Sequence, residues 1–173
     1  MKDFILGIVV TIASIAMGVF FYFLSGLVPV ATSAPPMPLE KRLAKIALNA
    51  RIEKEMPQTV PLHPDDANLI EGAHIYTEYC AMCHGLPGRE KSPAAKGMYP
   101  VPPELFNTMG VTDDPPGETY WKAANGIRLT GMPAFKGSLS ETQLWQVSLL
   151  LANANKISPA VRVALSQQFA ASH

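Results

Sequence analysis

Only two of the 173 residues are cysteine, and they stand three positions apart, at Cys80 and Cys83. So few thiols exclude a small disulfide-stapled scaffold. Net formal charge is zero, so no basic field calls for nucleic acid, and none is expected as a partner. No run of alternating apolar and polar residues is long enough for a useful strand, and no internal repeat is present. Sheet and solenoid architectures lose their sequence basis on that ground.

Charge is also missing from one long stretch. From Phe4 to Val30, FILGIVVTIASIAMGVFFYFLSGLVPV, 27 residues contain no charged side chain. As a helix they span roughly 40 Å, more than the ~30 Å of a bilayer's hydrocarbon core. Tilt, or an end at Leu27 ahead of Pro29, absorbs the surplus. A core helix of a soluble domain would show a polar face, and this one has none. Residues 1–30 therefore read as a transmembrane anchor. The rival is a secretory signal, since Ala31-Thr32-Ser33 resembles a small-residue cleavage site. Its apolar region is usually ~7–15 residues, much shorter than this one, and an uncleaved anchor is favoured.

Proline, in contrast, is abundant, with 16 residues. ATSAPPMP (31–38) reads as a stiff spacer. LEKRLAKIALNARIEKEM (39–56) then places Leu39, Leu43, Ile46 and Ala50 at helical spacing, with Lys41, Arg42, Lys45 and Arg51 on other faces. Pro57 stops it, and Pro61 and Pro64 extend a second linker. This helix is either a solvated spacer or one that lies on headgroups or on another subunit. Asp65 and Asp66 mark the next helix start, and DDANLIEGAHIYTEYC runs helically into the cysteines. Residues 85–117 hold five glycines and seven prolines, a long loop of the kind that is functional or wraps something. ETYWKAAN (118–125) reads as a short helix ended by Gly126. Ser138 or Ser140 caps another, with Leu144, Trp145, Ser148, Leu149 and Ala152 as its buried stripe. The domains expected are a 1–30 anchor, a 31–64 spacer, a 65–156 helical domain and a 157–173 tail, with a weak helix over 159–170.

The cysteines sit in Cys80-Ala81-Met82-Cys83-His84-Gly85. A C-x-x-C-H run is an attachment signature for c-type haem. Each thiol can join one vinyl group as a thioether, and the next residue on the same turn brings its imidazole to the iron. Zinc usually wants four ligands, and His63, His74 and His173 form no second pair. A thioredoxin-like dithiol expects a βαβ setting, and a C-x-x-C disulfide closes a strained loop. Asp113 and Asp114, beside Pro115, read as a turn and not as an acid pair. A second axial ligand would be methionine, histidine's partner in high-potential haems. Once the anchor, the spacer and the motif's own Met82 are set aside, Met98, Met109 and Met132 remain. Met132 is favoured, because Gly131 gives close backbone approach and Pro133 restrains the loop.

Over about residues 65–155 the sequence resembles a class I c-type cytochrome. The resemblance rests on Gly72 and Tyr76, CAMCHG, Pro87, the run YWKAANGIRLTGMPAF and Trp145. It implies an all-α fold around one covalent haem c, outside which lie the anchor and the spacer helix. Gly72 would let the first helix cross the last one closely, near Tyr76 and Trp145. A backbone carbonyl near Pro87 would accept the Nδ1 proton of His84, and Trp121 and Arg128 would lie near the haem propionates. Thioether attachment outside the bacterial cytoplasm implies a single-pass inner-membrane protein with residues 31–173 in the periplasm. Lys41, Arg42 and Lys45 lean against that orientation, but long domains translocate largely regardless of charge. The function implied is one-electron transfer without a small-molecule substrate and without enzymatic turnover of its own. Its partners would be the membrane and redox proteins, as a carrier or as a subunit of a respiratory or photosynthetic oxidoreductase complex. The alternative is a haem-based gas sensor or haem enzyme with an open iron face.

Overall fold

The computed structural model describes residues 1–106 and 114–167. Its described elements are helical throughout: α1 (Lys2–Leu24), α2 (Glu40–Glu55), α3 (Asp66–Ile75), a π-helical turn (Tyr76–Cys80), α4 (Ala81–His84), α5 (Pro93–Lys96), α6 (Pro116–Asn125), α7 (Glu141–Ala152) and α8 (Pro159–Gln167). No strand occurs among the described residues. The chain divides into two compact units at Glu40/Lys41.

In the first unit, α1 is 23 residues, long and apolar enough to cross a membrane, with none of its most apolar window buried by protein. It stops earlier than Leu27. Ser25 Oγ donates to the Tyr22 carbonyl at 2.7 Å, and Gly26 turns into the left-handed region at φ +73°, which glycine enters without a Cβ penalty.

In the second unit, local capping chemistry sets the helix starts. Asp65 Oδ1 accepts from the Asn68 N–H at 2.9 Å and opens α3. Ser140 and Gln143 form a reciprocal capping box at α7, which satisfies two of the donors a helix start leaves unpaired. The core joins α3, α6, α7 and α8. A β-carbon on Gly72 would collide with the Gln146 carbonyl of α7, so the close crossing expected there is present. Tyr120 of α6 stacks on Trp145 of α7, with ring centroids 4.4 Å apart. Leu144, Trp145, Ser148 and Leu149 are buried as expected, and Ala152 is half-buried.

The C-terminal segment is not a tail. Ile157, Val161, Ala164 and Leu165 are all buried in the same core, and α8 packs against α3. The spacer helix is not fully solvated either. Ile52 of α2 is buried, and a β-carbon on Gly117 would collide with the Pro57 carbonyl. Expected boundaries at 64/65 and 156/157 thus fall inside a single packed unit.

The crossing at Gly72 yields a direct test. Gly72→Ala inserts a methyl group against backbone that cannot rotate away, and overpacking of this kind costs about 1–3 kcal/mol. Gly137→Ala meets nothing within 4 Å and serves as the control. Denaturant midpoints should fall for the first and hold for the second; equal midpoints would show that the helices part without cost.

Candidate cofactor site

The site forms where α3 runs out. Thr77 Oγ1 bonds back to the Ala73 carbonyl at 2.8 Å, and the chain widens into the π-turn, with the Ala81 N–H reaching back to the Tyr76 carbonyl. The motif follows on α4. Cys80, Cys83 and His84 are each half-buried, and the two thiols are not joined as a disulfide. Gly85 ends the turn at φ +78°. Its carbonyl accepts from the buried Tyr76 hydroxyl at 2.6 Å, and the Tyr76 ring meets Phe106 edge-on at 4.9 Å. Burial, and secondarily Cys80, push the Tyr76 hydroxyl well above the ordinary phenol range, so it remains a neutral donor.

The imidazole of His84 has a defined tautomer. Its Nδ1 lies 2.8 Å from the Pro103 carbonyl, and a carbonyl only accepts, so Nδ1 carries the proton. Burial lowers the His84 pKa, the Pro103 bond opposes this, and Lys91 lowers it further. The neutral ring then presents the Nε2 lone pair, which is the form that ligates a metal. The expected acceptor near Pro87 is thereby corrected to Pro103. Leu86 to Arg89 close into a turn in which the Leu86 carbonyl takes the Arg89 N–H at 3.0 Å, and Pro87 is exposed.

The thiol chemistry separates the readings of the motif. Burial, then the neighbouring Cys83, push the Cys80 thiol up to about 12. A raised pKa makes Cys80 a poor thiolate nucleophile, and no strand flanks the motif among the described residues, so the βαβ setting of a thioredoxin-like pair is missing there. Among the described residues, no three or more His, Cys, Asp or Glu side chains are grouped to hold a metal ion. The donor set of two thiols and one oriented imidazole on a single turn fits thioether attachment with an axial histidine.

Met132 lies half-buried on a loop tied back to α6. The Met132 carbonyl accepts from the Ile127 N–H at 3.2 Å, and the Phe135 N–H reaches the Ala123 carbonyl at 3.0 Å. Thr130 Oγ1 accepts from the Met132 N–H at 3.1 Å. Gly126, at φ +67°, leaves no room for a β-carbon: one would lie 2.7 Å from Ala134 N and 2.8 Å from the Met132 carbonyl oxygen. At Gly131 the Met98 sulfur would be 2.9 Å from a β-carbon. Met98, a rival candidate, thus packs against the loop that carries Met132. Met109 lies outside the described residues.

The two expected propionate partners differ. Arg128 is exposed and makes no hydrogen bond or ion pair with a described residue. The one donor of Trp121, Nε1, reaches Glu55 Oε2 of α2 at 3.2 Å, and Arg51 pairs with the same carboxylate at 2.7 Å. Its partner is the spacer helix. Pro103, Glu55 and the tyrosine–Gly85 bond were missed in the sequence. Only the Pro102-Pro103 pair within the wrapping loop carried any signal. His63 is exposed, as expected, and half-buried His74 lies 3.8 Å from Glu71. His173 and Asp113 lie outside the described residues, and Asp114 pairs with Lys122 at 3.4 Å.

Residues 67–149 match the family described as cytochrome c oxidase, cbb3-type, subunit III. No curated protein matches the sequence. A chain of the reducing HAO-like protein complex of Kuenenia stuttgartiensis is similar, with a TM-score of 0.48 and 24% identity over 59% of this chain and 52% of that one. The chain spans about half the length of that solved chain.

The buried tyrosine bond is open to test. Tyr76→Phe removes the donor to the Gly85 carbonyl inside the core, and leaving a buried acceptor unpaired costs roughly 1–3 kcal/mol. Chemical denaturation of the variant should show that loss; an unchanged midpoint would mean that the bond does not support the turn after His84.

Proposed function

We propose, for a chain whose residues 67–149 are a c-type cytochrome domain with the class I all-helical fold, that it is a membrane-tethered one-electron carrier with one covalent haem c. The observation that carries this reading is the oriented imidazole. His84 donates Nδ1–H to Pro103 and so offers Nε2 beside two thiols on the same turn. When bound, the haem would supply an Fe(III)/Fe(II) couple. Cys80 and Cys83 would hold it by thioethers, and His84 would ligate the iron.

Met132 would be the second protein ligand to the iron. Its loop is held from behind by Gly126 and by the Thr130 hydroxyl, so the backbone is ordered before any ligand is engaged. A neutral thioether favours the reduced metal and raises the potential. Arg128, exposed and with no described partner, would supply a cation for an anionic propionate. With His84 and Met132 both holding the iron, small ligands would be excluded, which would separate a carrier from a gas sensor or haem enzyme. Helix α1 would anchor the chain in the bacterial inner membrane with the haem domain in the periplasm. The partners would then be redox proteins of that membrane, with the domain as a carrier or as a subunit of an oxidoreductase complex.

Two measurements test the assignment. In the Cys80→Ala/Cys83→Ala double variant, a haem stain on a denaturing gel should disappear; full staining would exclude thioether attachment. Met132→Ala should admit carbon monoxide to the reduced protein and abolish the weak far-red absorption of sulfur–iron ligation in the oxidised protein. Met132→His should stay six-coordinate and lower the potential. Met98→Leu and Met109→Leu should keep the far-red band. Loss of that band in either leucine variant, with retention in Met132→Ala, would overturn the ligand assignment.

A further inference from the structure

Helix α2 has two apolar faces, and the second unit covers only one of them. On the covered side, Ile52 is 3% exposed, Leu48 is half-buried, Glu55 holds the Trp121 indole, and Lys41 Nζ lies 5.7 Å from the centroid of the Tyr99 ring. At 100° per residue these positions share one side. Leu43, Ile46, Ala47 and Ala50 occupy the opposite side at i, i+3, i+4 and i+7, the spacing of a helical stripe. Leu43 is 61% exposed and Ile46 57%, and both alanines are exposed.

The charges around this stripe are mostly cationic. Arg42 and Lys54 border it, exposed and without an ion pair to a described residue, beside one exposed acid, Glu53; Lys45, seven residues before Ile52, lies toward the covered side. Two of the three acids of α2 are already engaged. Glu40 accepts the Met37 N–H at 2.8 Å, and Glu55 is held by Arg51 and Trp121. An apolar stripe flanked by free cations suits an anionic lipid surface. Only residues 25–39 separate the end of α1 from the start of α2, a link that spans at most roughly 50 Å when fully extended.

We infer that α2 is an interfacial helix: its Leu43/Ile46/Ala50 face lies in the headgroup layer of an anionic bilayer while its Leu48/Ile52 face stays on the haem domain. The helix thereby holds that domain in one orientation on the membrane. The inference rests on the reading of α1 as an anchor, and the test separates the two.

The full-length holoprotein is placed in nanodiscs containing phosphatidylglycerol. Nitroxide labels are attached at Leu43→Cys, Ile46→Cys, Ala50→Cys, Asn49→Cys and, within α1, Ile12→Cys. The unsubstituted protein controls for labelling of Cys80 and Cys83, and the haem spectrum of each variant confirms folding. Labels at 43, 46 and 50 should be relaxed by oxygen and shielded several-fold from an aqueous nickel chelate relative to 49, with 12 the most shielded. Nickel access at 43 and 46 equal to that at 49 would overturn the inference. So would shielding from both reagents, which would show a second copy or a partner protein on that face. In either case, deep immersion at 12 leaves the anchor standing, whereas nickel access at 12 removes the anchor itself.

Discussion

Where α3 passes α7, the space beside Gly72 admits a hydrogen atom and no carbon. That backbone-to-backbone approach fixes how the helix leading to the cysteines lies on the helix that carries Trp145. Asn68 and Gln146 bond across the same crossing at 3.2 Å, so the contact is polar at its edge and bare at its centre. Helix α8 packs on α3. The positions of Cys80, Cys83 and His84 follow from a crossing that no side chain can adjust.

Two of the candidate site's supports come from chain far from the motif. The imidazole is oriented by Pro103, nineteen residues on, and the Met132 loop is laid over the end of α6 by main-chain bonds. A proline carbonyl is a suitable acceptor for such work, because its residue has no N–H to draw it into a helix. Ser92 adds a tie between these parts: its hydroxyl donates to the Met82 carbonyl at 2.8 Å and accepts the Ala95 N–H at 3.2 Å. The loop after Gly85 is thus fastened to the motif it leaves.

What the sequence discloses here is what local chemistry decides. Asp65 and Ser140 announce their helices because a cap acts within four residues. C-x-x-C-H is legible because its three groups stand on one turn. The partner of His84 is not legible in the same way. Pro87 and Pro103 are both prolines in one loop, and only the path of the chain decides which carbonyl returns. Trp121 meets Glu55 across 66 residues, a contact between α6 and a helix that composition alone makes a spacer. Helix α8 looked marginal by pattern, yet Val161 is fully buried; its stability comes from packing on α3, which propensity does not report.

The widened turn at Tyr76–Cys80 acts as a phase shift. The buried positions of α3 and the turn, Leu69, Gly72, Ala73, Ile75 and Tyr76, contain the series Leu69, Ala73, Tyr76, which advances by three or four. In an unbroken α-helix the next would be Cys80. Instead the chain takes five steps, the Ala81 N–H bonds to the Tyr76 carbonyl, and Ala81 inherits the core at 6% exposure. One residue of extra winding turns everything after it by about 100°. Cys80 is displaced from the packed interior to its margin, alongside Cys83 and His84. Two segments that read as one continuous helix are thus set in different phase, the second keeping Ala81 on the core and turning the cysteines and His84 to its edge.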